Sequence, residues 1–328
     1  MFVPQAFVTA LLMTILSAVC WGSWANTYKL TKNYRVELFY WDYAAGIFLI
    51  SLALAFTLGS TAGSDNSFLS NLYSAAPSNL FYAALGGFIF NIANFLLIAG
   101  IGMVGLAIAF PISIGIALVE GVVLSYLIQP KGSAVLLGLG VGMALVAVIL
   151  IGKAYGELRA KGNHPASRKG VAVCVVSGIL MGTFAPFITR AMTASRPLTP
   201  YTVAVFFTFG AFLCCFVFNF YLMKNPLEGE PVGFAGYFRA PSSYHALGLL
   251  GGAIWGLGTV FNFVAASFVG VAISYAIGQS APMIAALWGI FVWHEFRGAS
   301  ARAKAFLVGM FACYMLALFL ISRAYQGS

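Results

Sequence analysis

The amino-acid sequence predicts an all-α membrane protein whose ten transmembrane helices form two five-helix halves, the second inverted relative to the first. Three observations carry this reading: the composition, the spacing of the apolar segments, and the placement of basic residues between them. Of 328 residues, 61% are hydrophobic and 8% are charged, with a mean hydropathy of +0.95. Soluble domains carry about 25% charged residues. Seventeen Lys and Arg with eight Asp and Glu leave too little polar material to cover a water-facing surface. A water-soluble fold is thereby excluded.

Cutting the chain wherever charges, Pro and Asn cluster leaves ten apolar segments, at 5–28, 38–58, 78–101, 103–129, 133–153, 171–190, 199–223, 244–268, 270–293 and 303–323. Each has roughly 20–27 residues, enough at about 1.5 Å per residue to cross a hydrocarbon core of about 30 Å as a helix. The segments are continuously apolar rather than alternating, which argues against a barrel. The first passes through Leu16-Ser17-Ala18-Val19-Cys20, which could be taken for a cleaved leader. It lacks a basic n-region and stays apolar to Tyr28, so it reads as a retained span. All five cysteines fall in apolar stretches without metal spacing, where thiols act as small hydrophobes.

Polar residues inside these spans are the informative ones, because lipid offers them no water. In the first span Trp21, Trp24 and Tyr28 recur at i, i+3 and i+7. Such a stripe serves packing or an interface belt as readily as a site. Asp42, in Tyr40-Trp41-Asp42-Tyr43, lies about one turn into the second span. A helix N-terminus favours an acid, so a cap is as good a reading as a solute or proton role. Asn91 and Asn94 share one face of the third span, as Trp255, Thr259 and Asn262 do in the eighth. Carboxamides beside aromatic rings suit a small, neutral, hydrogen-bonding solute, and they also serve as interhelical glue.

Glu120 is the one acid deep in a span. An acid at the bilayer centre costs about 2.5–3.5 kcal/mol on insertion scales, and desolvation disfavours its charged form. That suits a group that loads and releases a proton, or a neutral acid bonded to a neighbouring helix. In the ninth span Gln279 is a mid-span amide in need of a partner, just before Pro282. Pro111 and Pro282 can open the backbone ladder where a site needs carbonyls. His294 and Glu295 end that span as an interfacial pair.

The connections set the orientation. Lys29, Lys32, Arg35, Lys153, Arg159, Lys161, Arg168, Lys169, Lys224, Arg239, Arg297, Arg302 and Lys304 fall on one side, and Lys131, Arg190, Arg196 and Arg323 on the other. The first set is expected to face the cytoplasm, with both termini outside a plasma (inner) membrane. The basic connection then divides the chain into an N-terminal repeat (1–153), a cytoplasmic linker (154–170) and a C-terminal inverted repeat (171–328).

Internal similarity supports the duplication. Gly86-Gly87-Phe88-Ile89-Phe90 aligns with Gly251-Gly252-Ala253-Ile254-Trp255, and Met103-Val104-Gly105-Leu106-Ala107-Ile108 aligns with Phe268-Val269-Gly270-Val271-Ala272-Ile273, both at an offset of 165 residues. Ser17…Gly22-Ser23-Trp24-Ala25 aligns with Ser177…Gly182-Thr183-Phe184-Ala185 at an offset of 160. Inverted repeats are the usual way to build a midplane site that opens to alternate sides. The close spacing of spans three/four and eight/nine predicts two tight hairpins as pathway walls.

Chemistry-bearing motifs are missing. The three histidines lie in loops or at span ends, and neither a Walker A pattern nor a Gly-x-Ser-x-Gly elbow occurs, so no enzyme, cofactor or metal site is expected. The scattered bases form no nucleic-acid reader. The expected partners are a small solute, protons and the bilayer, with the chain as a monomer.

Gly22-Ser23-Trp24, Tyr40-Trp41-Asp42-Tyr43, the Gly86-Gly87…Asn91…Asn94 stretch and Ala286-Leu287-Trp288-Gly289-Ile290-Phe291…Glu295-Phe296-Arg297 together resemble the ureide permease family of the drug/metabolite transporter superfamily. The resemblance implies a ten-helix, proton-coupled carrier importing ureides such as allantoin, and uracil or related heterocycles. Glucose, ribose and rhamnose porters share the plan and are the alternative, followed by a multi-span receptor that moves no solute. The chain departs from plant ureide permeases in its short central loop, Tyr155–Lys169, and in Glu120. The expected solute contacts are Trp24, Asn91, Asn94, Trp255, Asn262 and Gln279, with Glu120 and Asp42 as proton sites.

Overall fold

The computed structural model describes residues 1–32, 34–61, 67–159, 167–227 and 229–326. Among them are helices and no strands. Ten helices are long and apolar enough to span a membrane: α1 (Phe7–Lys29), α2 (Val36–Ser60), α3 (Pro77–Val104), α4 (Ile108–Ile128), α5 (Ala134–Leu158), α6 (Arg168–Thr193), α7 (Pro200–Lys224), α8 (Ser242–Val269), α9 (Val271–Phe291) and α10 (Ala301–Tyr325). They match the ten apolar segments within a few residues and overrun them where caps lie in the polar flanks. Pro77 and Pro200 open α3 and α7, where a missing N–H costs nothing. The Ser167 hydroxyl caps α6 by accepting from the Gly170 N–H. The helix of α5 runs on to Arg159. Residues 160–166 of the expected linker, Lys161 and His164 among them, lie outside the described residues.

Three spans are irregular at depth. α1 is interrupted at Trp24, between Phe7–Ser23 and Ala25–Lys29. α7 carries a π-helical turn at Cys215–Asn219. α9 breaks at Gln279 and Ser280, and Pro282 sits in the first turn of its second piece. Pro111, by contrast, lies inside an unbroken helix.

The helix of α4 begins at Leu106, two residues before its apolar span, so a single residue joins α3 to α4, and another joins α8 to α9. Gly105 has φ 78° and ψ 162°, and Gly270 has φ 88° and ψ 152°. This region is essentially closed to residues with a Cβ. Both hairpin joints therefore depend on glycine, and the two glycines are 165 positions apart.

Helix packing repeats the same correspondence with the halves exchanged. α3 lies along α6 and α7, and α8 lies along α1 and α2; α4 packs on α6, and α9 on α1; α5 pairs with α10. At the α2–α8 crossing, a Cβ on Gly46 would strike the Leu249 carbonyl, and one on Gly252 would strike that of Tyr43. At the α3–α7 crossing, Gly210 meets the Ala84 carbonyl and Gly87 that of Phe207 in the same manner. Backbones approach this closely only where the side chain is a hydrogen, the geometry that dispersion-driven packing in lipid favours.

Gly105→Ala and Gly270→Ala should each destabilise the protein by roughly 1–3 kcal/mol. Thermal unfolding in detergent would show this as a lower apparent Tm. Gly138, exposed with nothing within 4 Å of an added Cβ, is the control: Gly138→Ala should leave Tm unchanged or raise it.

Candidate functional site

A cavity of about 350 Å³ lies between the helices, within the range of small-molecule sites. Its lining begins near the midplane with Trp21, Phe90, Phe184, Trp255 and Gln279. It continues to Tyr28, Val36 and Ile101 at the end of the bundle that carries the basic connections, here called the basic end. Spans α1, α2, α3, α4, α6, α8 and α9 all contribute.

Aromatic rings form the deep wall. Trp255 stacks on Phe90 with centroids 4.7 Å apart and stands 5.9 Å from Trp21. Phe90 meets Phe184 edge-on at 5.5 Å. Trp21 is held by its indole N–H, which donates to the Thr259 hydroxyl at 3.1 Å. Trp24, at the break in α1, packs on Tyr43 at 4.5 Å, and its indole N–H has no hydrogen-bond partner among the described residues.

The polar groups are few and neutral. Asn94 donates its amide to the Tyr40 hydroxyl at 2.9 Å, and both residues line the cavity. The Gln279 side chain, at the break in α9, is buried against the cavity and makes no hydrogen bond to another described residue. A buried amide without a protein partner is costly unless something else meets it. No charged side chain lines the cavity, so nothing there would balance a charged solute.

Four of the expected contacts, Trp24, Asn94, Trp255 and Gln279, thus come together. The structure places the other two elsewhere. Asn91 turns toward α7 and donates to the Cys215 sulfur at 3.7 Å. Asn262 ties α8 to its neighbours, donating to the Ser17 hydroxyl at 3.3 Å and the Ser274 carbonyl at 3.0 Å, while Ser274 donates back to the Asn262 carbonyl at 2.7 Å. Both amide nitrogens are engaged by neighbouring helices, so in this arrangement the two residues act as helix ties. Tyr40 and Phe184 were not singled out as contacts; Phe184 was detectable as the repeat mate of Trp24, and Tyr40 as part of the motif around Asp42.

Neither expected proton site lies in the cavity. Glu120 accepts from the Thr183 hydroxyl at 3.1 Å and borders a shallow groove with Pro111, Val123 and Leu145. Asp42 is buried near the basic end, between the Tyr237 hydroxyl at 2.7 Å and His245 Nδ1 at 2.8 Å. Burial, with the Asp42 carboxylate beside it, pushes the Tyr237 phenol well above its usual range. Burial and the same charge push Tyr34 up to about 12. Both phenols therefore remain hydrogen-bond donors at neutral pH.

Ion pairs frame the basic end. Arg35 grips Glu37 through two bonds of 2.7 and 3.1 Å and reaches the Glu230 carbonyl at 2.6 Å. Glu295 pairs with Lys29 at 2.5 Å and accepts from the Tyr155 hydroxyl at 3.1 Å. Two bonds to α1 run beside this pair, from Trp288 of α9 to the Ser23 hydroxyl and from Trp293, just past the end of α9, to the Asn26 carboxamide oxygen. Among the described residues no group of three His, Cys, Asp or Glu could hold a metal.

Ten apolar spans around a neutral cavity have the architecture of a membrane transporter of small solutes, and the comparisons with known proteins agree. A family model described as "Sugar transport protein" matches residues 12–322, and the chain belongs to that family. Ureide permease 4 of Arabidopsis thaliana is 23% identical over 97% of this chain and 97% of its own, and Ureide permease 5 of the same plant is 24% identical over 98% and 95%. A putative sugar uptake protein of Listeria monocytogenes is 23% identical over 64% of this chain and 68% of its own. The resemblance to the ureide permeases therefore holds over the full length. A solved crystal structure shares the fold with a TM-score of 0.68 at 16% identity, covering 96% of this chain and 98% of that one.

Gln279→Leu keeps the side chain's approximate size and removes its hydrogen bonding. It should weaken solute binding roughly 10-fold or more, the scale of losing a buried hydrogen bond. Solute-dependent quenching of tryptophan fluorescence would read this, because three tryptophans line the cavity.

Proposed function

We propose that the chain imports a small, neutral, planar hydrogen-bonding solute, a ureide such as allantoin or a nucleobase or nucleoside, by proton-coupled alternating access. The observation that carries this reading is the lining: stacked rings with a few neutral amides and no charge. Rings cover the face of a planar heterocycle, and the Asn94 and Gln279 amides read the donors and acceptors on its edge. A sugar presents many hydroxyls around its rim, each needing a partner when buried, and Asn94, Gln279, Tyr28 and Tyr40 are few for that task. The family description and the Listeria relative keep the sugar as the second reading.

In this scheme the chain is an inverted duplication, 1–153 and 171–328. The matched glycine joints and exchanged crossings support it. The basic connections lie in the cytoplasm, so the cavity faces inward. Glu120 carries the coupling proton: it is the acid set deepest in a span, its carboxyl accepts from the Thr183 hydroxyl, and no ion pair among the described residues fixes its charge. Asp42, held by Tyr237 and His245, is the secondary candidate. A receptor that moves nothing fits less well, since interrupted spans at a midplane cavity are the signature of carriers.

Counterflow in proteoliposomes with allantoin, uracil, adenosine and glucose tests the solute. Exchange of allantoin or a nucleobase is expected, exchange of glucose alone would refute the reading, and binding without exchange would favour a receptor. Glu120→Gln should abolish accumulation driven by a pH gradient while sparing counterflow. Unchanged accumulation would remove Glu120 from the coupling.

A further inference from the structure

The exchange of the two halves gives nearly every cavity residue a mate, and the mates fall into two groups. Near the midplane both members of a pair line the cavity: Trp24 with Phe184 at offset 160, and Phe90 with Trp255 and Ile114 with Gln279 at offset 165. Toward the basic end only one member does. Asn94, Leu97, Phe110 and Ala285 line the cavity, whereas their mates Thr259, Asn262, Tyr275 and Glu120 do not. Thr259, Asn262 and Tyr275 are at most 2% exposed.

Those four mates share one region, the half of the bundle beyond the midplane from the basic end, and they are already in contact through α8, α9 and α4. Asn262 is bonded to Ser274, one residue before Tyr275, and the Tyr275 hydroxyl donates to the Ala117 carbonyl at 3.3 Å, one turn from Glu120. The region is shut by a latch with a charge in it. The Lys131 ammonium, from the α4–α5 connection, donates to the Phe268 carbonyl at the end of α8. Its alkyl chain lies in the space left by the missing side chain of Gly270. A lysine on the last carbonyls of a helix is favoured by both hydrogen bonding and the helix dipole.

We propose that Thr259, Asn262, Tyr275 and Glu120 form a second solute-binding surface, exposed when the Lys131 latch opens and the pathway faces the other side. This rests on the carrier reading above. It explains why Asn262 and Glu120, polar residues deep in the membrane, are absent from the cavity as it stands: each occupies the position that its mate fills in the open half. The two surfaces differ in chemistry. The open one offers the Asn94 amide, the Tyr28 and Tyr40 phenols and no acid, whereas the closed one adds a carboxyl to a hydroxyl, an amide and a phenol. The groups facing Glu120 are Thr183 from α6, Tyr275 from α9 and Leu145 from α5, with no cation among them. Glu120 borders the shallow outer groove as the protein stands, and opening of the latch would add access for solute to its carboxyl from the Lys131 side.

Ala25 and Ala185 are mates: Ala25 is exposed on the cavity wall and Ala185 is fully buried. Ala25→Cys and Ala185→Cys, labelled with a membrane-impermeant maleimide in sealed vesicles of each orientation, test the proposal against the baseline set by the five native cysteines. Ala185→Cys should label from the Lys131 side, and adding Lys131→Gln should raise that labelling about 10-fold, the scale of losing one charge-assisted hydrogen bond. Ala25→Cys should label from the basic side, and less so with Lys131→Gln. Ala266→Cys, the mate of cavity residue Ile101, is a second reporter should Ala185→Cys fail to fold. If both buried reporters stay unlabelled, with and without Lys131→Gln, while counterflow proceeds, the proposal is overturned. Absent counterflow with every solute would refute the carrier reading alone, since the labelling reads the opening by itself.

Discussion

Hydrocarbon hydrates no backbone group, and that constraint orders the rest of this structure. Every N–H and C=O at membrane depth must find its partner within the protein, so the chain consists of helices, and breaks in them are confined to places that other helices cover. The interruptions at Trp24 and at Gln279–Ser280 obey this rule, since both lie against the cavity and away from the lipid-facing perimeter. Trp24 and Gln279 sit at these two places and both line the cavity, so the site is built beside the irregular turns.

The same solvent explains the near absence of charge from the interior. Charged side chains are held at the basic end in pairs, Arg35 with Glu37 and Lys29 with Glu295, where water can reach them. Asp42 is buried but is wrapped by a phenol and an imidazole. Such exposed or partly exposed pairs add little to stability, yet they fix how the ends of α1, α2 and α9 meet the connections around the cavity mouth.

Much of the fold was legible in the sequence because its signals are one-dimensional. Twenty-residue apolar runs locate spans whatever they pack against, and Gly105 and Gly270 marked the two joints because their backbone conformation admits little else. The site was half legible. Trp24 and Gln279 stood out, and both fall at breaks. Asn91 and Asn262 carry the same chemical signal as Asn94 but face Cys215 and Ser274 instead of the cavity. Which side of a helix turns inward depends on neighbours remote in sequence, and in a span apolar all round no amphipathic face reveals it. Glu120 stood out by its depth in a span, but depth alone does not say which helices it faces, and in the structure it meets Thr183 beside a shallow groove.

The one-residue joints at Gly105 and Gly270 also limit how this architecture can vary. A joint with no spare residues admits no insertion without unseating two helices at once, so growth or shrinkage of the chain is channelled into the longer connections, between α2 and α3, between α5 and α6, and between α7 and α8. Lineages that lengthen those connections can acquire new surface features while the paired hairpins, and the pathway between them, are inherited intact.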